Sequence, residues 1–185
     1  SMNMKNFNII NISCFGAIRP LKNHLSQALA AIQFANDRGL KLQFHINATR
    51  REQQGDNILK NLRSVFDYLP NHELIEHRWM NHDSFMQVLR SEIDLGMQVS
   101  FTETYNIVAA DHVVNGIPMV TSSEVPFVLP IFHADPNSIP SMVRKLHLAW
   151  RLRFLQLHQV NRWLLKYNNY RAQTAWQDSL TKLID

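Results

Sequence analysis

Apolar residues follow two different periods along the first two thirds of the chain. Short runs rich in Ile, Leu, Val and Phe predict strands, and longer stretches with apolar residues every three or four positions predict helices. The predicted strands lie at 7–13, 42–46, 73–75, 95–99 and 117–121. The predicted helices lie at 23–38, 56–69, 83–90 and 105–115. This alternation of strands and helices predicts an α/β class, a doubly wound parallel sheet of the Rossmann type.

The predicted sheet also indicates where a ligand should bind. Parallel strands end at one edge of a sheet, and ligands bind in the crevice outside that edge. The loops that should line the crevice follow Ser13, Ile46, Ile75, Ser100 and Thr121. These loops are therefore the first candidates for functional residues.

The last quarter of the chain has a different pattern. Between Ser138 and Leu183 it contains no Gly and one Pro, and its apolar residues recur at helical spacing. We therefore divide the chain into a Rossmann-like α/β domain at 3–135 and a helical tail at 136–185. We expect the tail to pack on the same domain; the alternative is that it reaches to a partner domain outside this chain.

Composition narrows the functional classes. The 185 residues are 45% hydrophobic with a formal net charge of +4, which suits one buried core and is too small a charge to indicate a nucleic-acid partner. Cys14 is the single cysteine, which indicates a reducing compartment, and we interpret it as a small buried residue. No apolar run approaches 18 residues. We expect a cytoplasmic location, with at most peripheral contact at the inner face of a membrane.

Basic residues follow the first predicted strand. Gly16 permits a tight turn, and Arg19 and Lys22 precede the helix that is predicted to begin at Asn23. Cations beside the N–H groups of a helix start can bind a diphosphate. An ordinary solvent-exposed basic loop would have the same sequence, and this loop alone leaves both interpretations open.

An acidic loop and a helix follow the fourth predicted strand. Glu103 lies in the loop, and Asp111 lies eight residues later in the helix. Between them, Tyr105, Asn106 and Ile107 lie at the helix start, where unpaired N–H groups and the helix dipole attract an anion. This arrangement suits a sugar nucleotide, although each acid alone could equally be a solvated surface residue.

Together, the two loops resemble motifs of a known family. The segment from Gly16 to Lys22 is similar to the Gly-Arg-x-x-x-x-Lys stretch in the C-terminal, donor-binding domain of retaining group 1 glycosyltransferases, which have the two-domain GT-B architecture. The segment from Glu103 to Asp111 is similar to the Glu-x7-Glu stretch of the same domain. The resemblance covers about residues 7–130.

The resemblance implies a reaction and roles for these residues. It implies transfer of a sugar, with retention, from a UDP- or GDP-linked donor to an acceptor hydroxyl, without a cofactor or a required metal. Glu103 would be the catalytic residue that stabilises charge near the anomeric carbon, and Asp111 would bind the ribose. The donor diphosphate would be bound by Arg19, Lys22, Tyr105, Asn106 and Ile107.

The resemblance also implies partners. The acceptor would be a glycan or a lipid-linked sugar, as in glycan or surface-polysaccharide synthesis, and an N-terminal acceptor domain outside this chain would complete the cleft. No nucleic-acid partner is expected.

Three residues depart from the family pattern. Ala17 stands where the family usually has Arg, Asp111 replaces Glu, and Asn106 stands where Gly is common. The changes at Ala17 and Asp111 favour an alternative, a non-catalytic nucleotide- or protein-binding module derived from the same fold, whereas the presence of Lys22 and Glu103 favours the enzyme. A flavodoxin-like regulatory domain is a third hypothesis, but it would need an acidic pocket where this chain has a basic one.

Further candidate contacts lie at the rim of the predicted crevice. Arg78, Trp79 and Met80 follow the third strand, and Ser123 follows the fifth. They are candidate contacts for the nucleobase or the sugar. For Trp79, we favour a position in the core over a stacking role.

The nine histidines raise the possibility of a metal site. His72, His77 and His82 are five residues apart, a spacing that does not place them on one helix face. No Cys or acid cluster completes a set of ligands in the sequence. We therefore expect no protein-bound metal from the sequence alone.

Overall fold

The computed structural model describes residues 8–48, 55–101, 106–155, 157 and 159–169. Five parallel strands form one sheet with the spatial order β3-β2-β1-β4-β5. The strands are β1 (Ile9–Ser13), β2 (Lys41–Asn47), β3 (Glu73–His77), β4 (Leu95–Gln98) and β5 (Met119–Thr121). The helices are α1 (His24–Asp37), α2 (Gly55–Asp67), α3 (His82–Glu92), α4 (Ile107–Val114), α5 (Ile139–Leu152) and α6 (159–169). The predicted doubly wound parallel fold is confirmed.

The alternation of side chains along β2 shows how the sheet is buried. Leu42, Phe44 and Ile46 are fully buried on one face, where Phe44 stacks on Phe66 of α2 with ring centroids 6.0 Å apart. His45 lies between them in sequence and therefore points to the other face. The first face belongs to the large core, to which α1, α2 and α5 also contribute.

A smaller core covers the opposite face of the sheet. It contains Phe15, after β1, together with Leu89 and Ile93 from α3 and its end, and Ile117 before β5. Several polar residues remain on this face of the sheet, among them Ser13 and His45. One consequence is that α4 meets the sheet through a hydrogen bond, between His112 and Ser13, as well as through apolar contacts.

Ser13, Gly96 and His112 hold α4 against the centre of the sheet. The His112 ring is fully buried, with its Nδ1 2.7 Å from the carbonyl oxygen of Val108 and its Nε2 2.6 Å from Ser13 Oγ. Since a carbonyl can only accept, Nδ1–H donates to Val108 and Nε2 accepts from the Ser13 hydroxyl. Gly96 lies directly beneath the ring, where a Cβ atom would be 2.6 Å from His112 Cδ2.

The described part of the tail packs on the α/β domain. Helix α5 lies against α1, and Leu165 of α6 is buried in the large core. Arg162 of α6 donates from Nη2 to the carbonyl oxygen of Val114 at 2.7 Å and so covers the C-terminal end of α4. The remainder of the predicted tail, 170–185, lies outside the described residues.

Across the described residues, none of the helices combines the length and the apolar character that crossing a bilayer requires.

Candidate functional site

The basic turn after β1 has a defined conformation. Residues Pro20–Lys22 form a single 3-10 turn, and Asn23 then adopts a left-handed conformation with φ of 63° before α1 begins. The Asn23 side chain donates to the carbonyl oxygens of Val99 at 3.1 Å and Pro136 at 3.0 Å. The turn is therefore tied to the segment that leaves β4 and to the loop that follows β5.

Two further contacts join this turn to the exit of β4. The backbone N–H of Phe101 donates to the carbonyl oxygen of Leu21 at 3.0 Å. The Gln27 side chain accepts from Val99 N–H at 2.8 Å and donates to the Lys22 carbonyl oxygen at 2.8 Å. These bonds bring the turn that carries Lys22 beside the loop that leads to α4.

The catalytic candidate Glu103 and its neighbour Tyr105 lie outside the described residues. Their predicted roles stay predictions. What the structure defines is the two ends of their loop, Phe101 and Asn106, and the basic turn beside the first of these ends.

The start of α4 is organised by a buried asparagine. Asn106 is 5% exposed and is the N-cap of the helix, since its Oδ1 accepts from Ala109 N–H at 2.8 Å. Its Nδ2 donates to Gln98 Oε1 at 2.9 Å, and Gln98 Nε2 donates to the carbonyl oxygen of Phe15 at 2.6 Å. The Asn106 side chain thus fixes the helix start. Any contact from residues 106 and 107 to an anion would come from their backbone, as predicted, because the Ile107 side chain is apolar.

Replacing the cap should loosen this helix start. We expect Asn106→Ala to lower the free energy of unfolding by about 1–2 kcal/mol, because it removes a helix cap and leaves the buried Gln98 oxygen without its donor. Asn106→Ser keeps an oxygen that can cap the helix and serves as the control, with a smaller loss that comes only from the missing donation to Gln98. Urea denaturation of both variants measures the difference, and equal losses would contradict the capping role.

Asp111 points toward the start of α3. Its side chain is 15% exposed, and its Oδ1 is 3.3 Å from Nε2 of His82, the first residue of α3. It is therefore neither a freely solvated surface acid nor a buried one. Its predicted contact with ribose stays a prediction, and His82 is the neighbour that would share such a ligand.

The rim residues are mainly exposed. The Trp79 side chain is 78% exposed, so our preference for a core position was wrong. The physical reason is that β3 is the edge strand and ends at His77, so no strand of the described residues lies beyond it to cover the turn that carries Trp79. Arg78 and Ser123 are also exposed and Met80 is half-buried, which leaves the predicted ligand contacts of all four untested.

Buried polar atoms without a partner are concentrated near the same edge of the sheet. Within the part of the chain that the structure describes, no hydrogen-bond partner meets Arg19 Nε or Ser122 Oγ, and the ring of His24 has no partner besides the backbone of Cys14. These residues follow β1 and β5. Buried polar groups are rarely left unpaired in folded proteins, so a bound polar ligand is one physical explanation for them.

His24 is the residue that sequence analysis missed at this site. It is 2% exposed, and burial together with the positive charge of Lys22 lowers its pKa to about 4. The imidazole is therefore neutral near pH 7. The only signal in the sequence was its position two residues after Lys22, and no periodicity showed that the ring would be buried.

The chain is similar to known proteins in its structure, but no match was found from its sequence. No family model matches the chain, and no curated protein matches it by sequence. Solved structures do match. A UDP-forming α,α-trehalose-phosphate synthase from Burkholderia xenovorans has a TM-score of 0.74 and 13% identity, over 95% of this chain and 44% of that one. The catalytic domain of the cholesterol-α-glucosyltransferase from Helicobacter pylori has a TM-score of 0.64 and 15% identity, over 87% of this chain and 98% of that one.

The resemblance to GT-B glycosyltransferases is confirmed at the level of the fold. An Escherichia coli trehalose-6-phosphate structure bound with UDP-2-fluoroglucose gives the same result, with a TM-score of 0.69 and 12% identity over 95% of this chain. This chain spans 44% of both the Burkholderia and the Escherichia coli chains. At these identities the GT-B likeness concerns the architecture, and the chemistry has to be argued from the residues of this chain.

Proposed function

We propose that this chain is the donor-binding domain of a retaining glycosyltransferase, which transfers a sugar from a UDP- or GDP-linked donor to an acceptor hydroxyl. The observation that supports the proposal most strongly is the junction between two turns. The hydrogen bonds from Phe101 and Asn23 hold the basic turn after β1 beside the exit of β4, which leads to α4. The cations of the turn after β1 attract anions, and so does the start of α4. Both groups therefore lie at the same edge of the sheet.

In this proposal the diphosphate is the group that the domain holds. Lys22 and Arg19 would supply positive charge, and the backbone of residues 105–107 would donate hydrogen bonds at the start of α4. Negative charge develops on the diphosphate as the glycosidic bond breaks, and fixed donors of this kind stabilise it. The neutral His24 ring would supply a further polar contact without adding charge.

The acids would act on the two sugars of the donor. Glu103 would lie near the anomeric carbon, where a carboxylate favours the oxocarbenium character of the transition state. Asp111 would bind the ribose hydroxyls from its position beside the start of α3. Asp111 is one methylene shorter than the Glu of the family pattern, and Ala17 removes a guanidinium from the diphosphate, so we expect weaker donor binding than in family members with both residues.

An acceptor domain would complete the enzyme. A donor domain alone leaves the reacting carbon open to water and does not position an acceptor. We therefore expect residues 1–185 to bind the donor and to turn it over slowly. Efficient sugar transfer by this chain alone would contradict the requirement for a second domain.

Calorimetric titration with UDP, GDP and their sugar conjugates tests the proposal. We expect one nucleotide to bind, and we expect Lys22→Ala to weaken binding of that nucleotide and of its sugar conjugate about tenfold or more, because it removes a charge-assisted contact. Glu103→Ala should weaken binding of the sugar conjugate more than that of the free nucleotide. Lys41→Ala is the matched control. Lys41 is an exposed lysine at the first position of β2, at the end of the strand away from the proposed site.

The alternative function is a non-catalytic nucleotide- or protein-binding module. The departures at Ala17 and Asp111 are the observations that favour it. Nucleotide binding that Glu103→Ala leaves unchanged, with or without a sugar, would favour a nucleotide-binding module over an enzyme. Absence of affinity for every nucleotide tested would leave only a protein partner.

A further inference from the structure

Two histidines and a glutamate meet on the face of the sheet that α3 covers. His45 of β2 and His77 at the end of β3 have their rings stacked, with centroids 5.1 Å apart and an angle of 22° between the planes. His45 Nδ1 is 2.8 Å from His77 Nε2. A carboxylate oxygen of Glu92, the last residue of α3, completes a set of three potential ligand atoms that all lie within 4.8 Å of one another.

The orientation of the His45 ring is fixed by a fourth residue. Its Nε2 is 2.8 Å from Asn11 Oδ1 on the neighbouring strand β1. An amide oxygen can only accept, so Nε2 carries the hydrogen and Nδ1 presents its lone pair toward His77 and Glu92. Histidines that bind metals usually donate their second N–H to an oxygen in this way.

The surroundings also favour the neutral, ligand form of both rings. Phe15 packs edge-on against His45 and His77, with ring centroids 6.5 and 5.3 Å apart. Burial, with His77 nearby, lowers the pKa of His45 to about 3. Burial also lowers the pKa of His77, and the Glu92 carboxylate partly opposes that shift. Neutral imidazoles bind a metal without first losing a proton.

Glu92 is placed unfavourably if no cation is present. It is the last residue of α3, where the carbonyl groups of the helix end carry partial negative charge and disfavour a carboxylate. A bound cation would relieve the repulsion between Glu92 and the helix end.

We propose that His45 Nδ1, His77 Nε2 and the Glu92 carboxylate bind a divalent transition-metal ion, with zinc as the best match. Two histidines and one carboxylate are an established zinc ligand set, with metal–ligand distances of about 2.0–2.2 Å. In a tetrahedral site such ligand atoms are about 3.3 Å apart, which lies between the 2.8 Å and 4.8 Å of this cluster. Binding would displace the hydrogen that His77 Nε2 donates to His45 Nδ1, and the His77 ring would stay neutral by carrying its hydrogen on Nδ1 instead. Glu92 is exposed and His77 half-buried, so water would complete the coordination.

The site would connect three elements of the domain. His45 lies on β2, His77 on the edge strand β3, and Glu92 at the end of α3. A metal ion there would hold the edge strand and the turn at 78–81 that follows it. The inference does not depend on the proposed sugar transfer, which needs no metal.

Titration of the metal-free chain with Zn²⁺ alone, followed by calorimetry, tests the inference. We expect one ion per chain, with affinity lowered at least tenfold by His77→Gln and by Glu92→Gln, because each variant removes one of three ligands. His147→Gln is the control, since His147 is a partly exposed histidine that pairs with Asp37 on α1 and should not affect binding. Co²⁺ should give the visible absorption of a tetrahedral site in the parent and in the control, but not in His77→Gln.

Thermal unfolding separates loss of a ligand from loss of the fold. Zn²⁺ at about 100 times its dissociation constant should raise the Tm of the parent by about 5–10 °C, and should raise that of His77→Gln by much less. The metal-free Tm of Glu92→Gln should be unchanged or higher than that of the parent. Absence of Zn²⁺ binding by the parent, or binding that survives both His77→Gln and Glu92→Gln, would overturn the inference.

Discussion

Acidification from pH 7 to pH 4 should lower the free energy of unfolding by about 6 kcal/mol through two histidines alone. His24 and His112 are almost completely buried, and burial lowers the pKa of each to about 4. Their pKa in the unfolded chain is about 6.5. A difference of about 2.5 pKa units corresponds to about 3 kcal/mol for each residue.

The direction of the effect follows from proton binding. Between pH 6.5 and pH 4 the unfolded chain carries protons on these two histidines and the folded chain does not. The unfolded state is therefore favoured as protons become more available, and stability falls through this window. Above pH 6.5 both residues are neutral in the folded and in the unfolded chain, so they no longer make the free energy of unfolding depend on pH.

Denaturant titrations at several pH values measure this effect, and a variant assigns it. His24→Leu removes a buried ring whose polar contact among the described residues is with the backbone of Cys14, so we expect a loss of stability at pH 7 of at most about 1 kcal/mol. Between pH 6.5 and pH 4 the free energy of unfolding of His24→Leu should fall by about 3 kcal/mol less than that of the parent, because only His112 still contributes. A parent whose stability changes by less than about 1 kcal/mol over this range would show that both rings are protonated in the folded state.

The sequence predicted the fold well because local patterns decide it. The strand and helix predicted in each part of 7–121 are present, with ends that differ by a few residues. In β2, for example, the alternation of Leu42, Phe44 and Ile46 with polar residues identifies a strand, and Gly39 before it ends the preceding helix in a left-handed conformation with φ of 64°. Patterns of this kind depend on neighbours in the sequence.

The candidate site was predicted only in part. The basic turn lies beside Val99 and Phe101, where the second motif loop begins, but the bonds that join them involve Asn23 and Gln27, whose roles depend on tertiary contacts. The burial of His24 and the exposure of Trp79 depend on which helices cover the loops and on the strand order. Neither of these can be obtained from one sequence by periodicity.

The histidine cluster shows the same limit. The spacing of His72, His77 and His82 in the sequence does not place them on one helix face. The structure instead brings His77 beside His45, because β2 and β3 pair in parallel with His45 opposite Ile75 and His77 opposite Asn47. Strand register is a tertiary property, so a ligand pair across two strands leaves no spacing signal.

Gly96→Ala should lower the free energy of unfolding by about 3 kcal/mol, since it adds a methyl group where there is no space. The new Cβ would lie 2.6 Å from His112 Cδ2 and still closer to Met119 Sδ. The thioether is flexible and can move, whereas the imidazole is buried and held at both nitrogens by Val108 and Ser13. Accommodating the methyl group would therefore require α4 to move away from β4 or the Ser13 bond to break.

Gly39→Ala distinguishes crowding from a general effect of replacing glycine. Gly39 has no atom near the position of an added Cβ, so its substitution should cost about 1 kcal/mol, from the left-handed backbone alone. Urea denaturation compares the two variants. Because α4 carries the start that is proposed to bind the diphosphate, Gly96→Ala should also weaken nucleotide binding, and Gly39→Ala should not. Equal losses of stability in both variants would mean that His112 is not held against β4 as the structure shows.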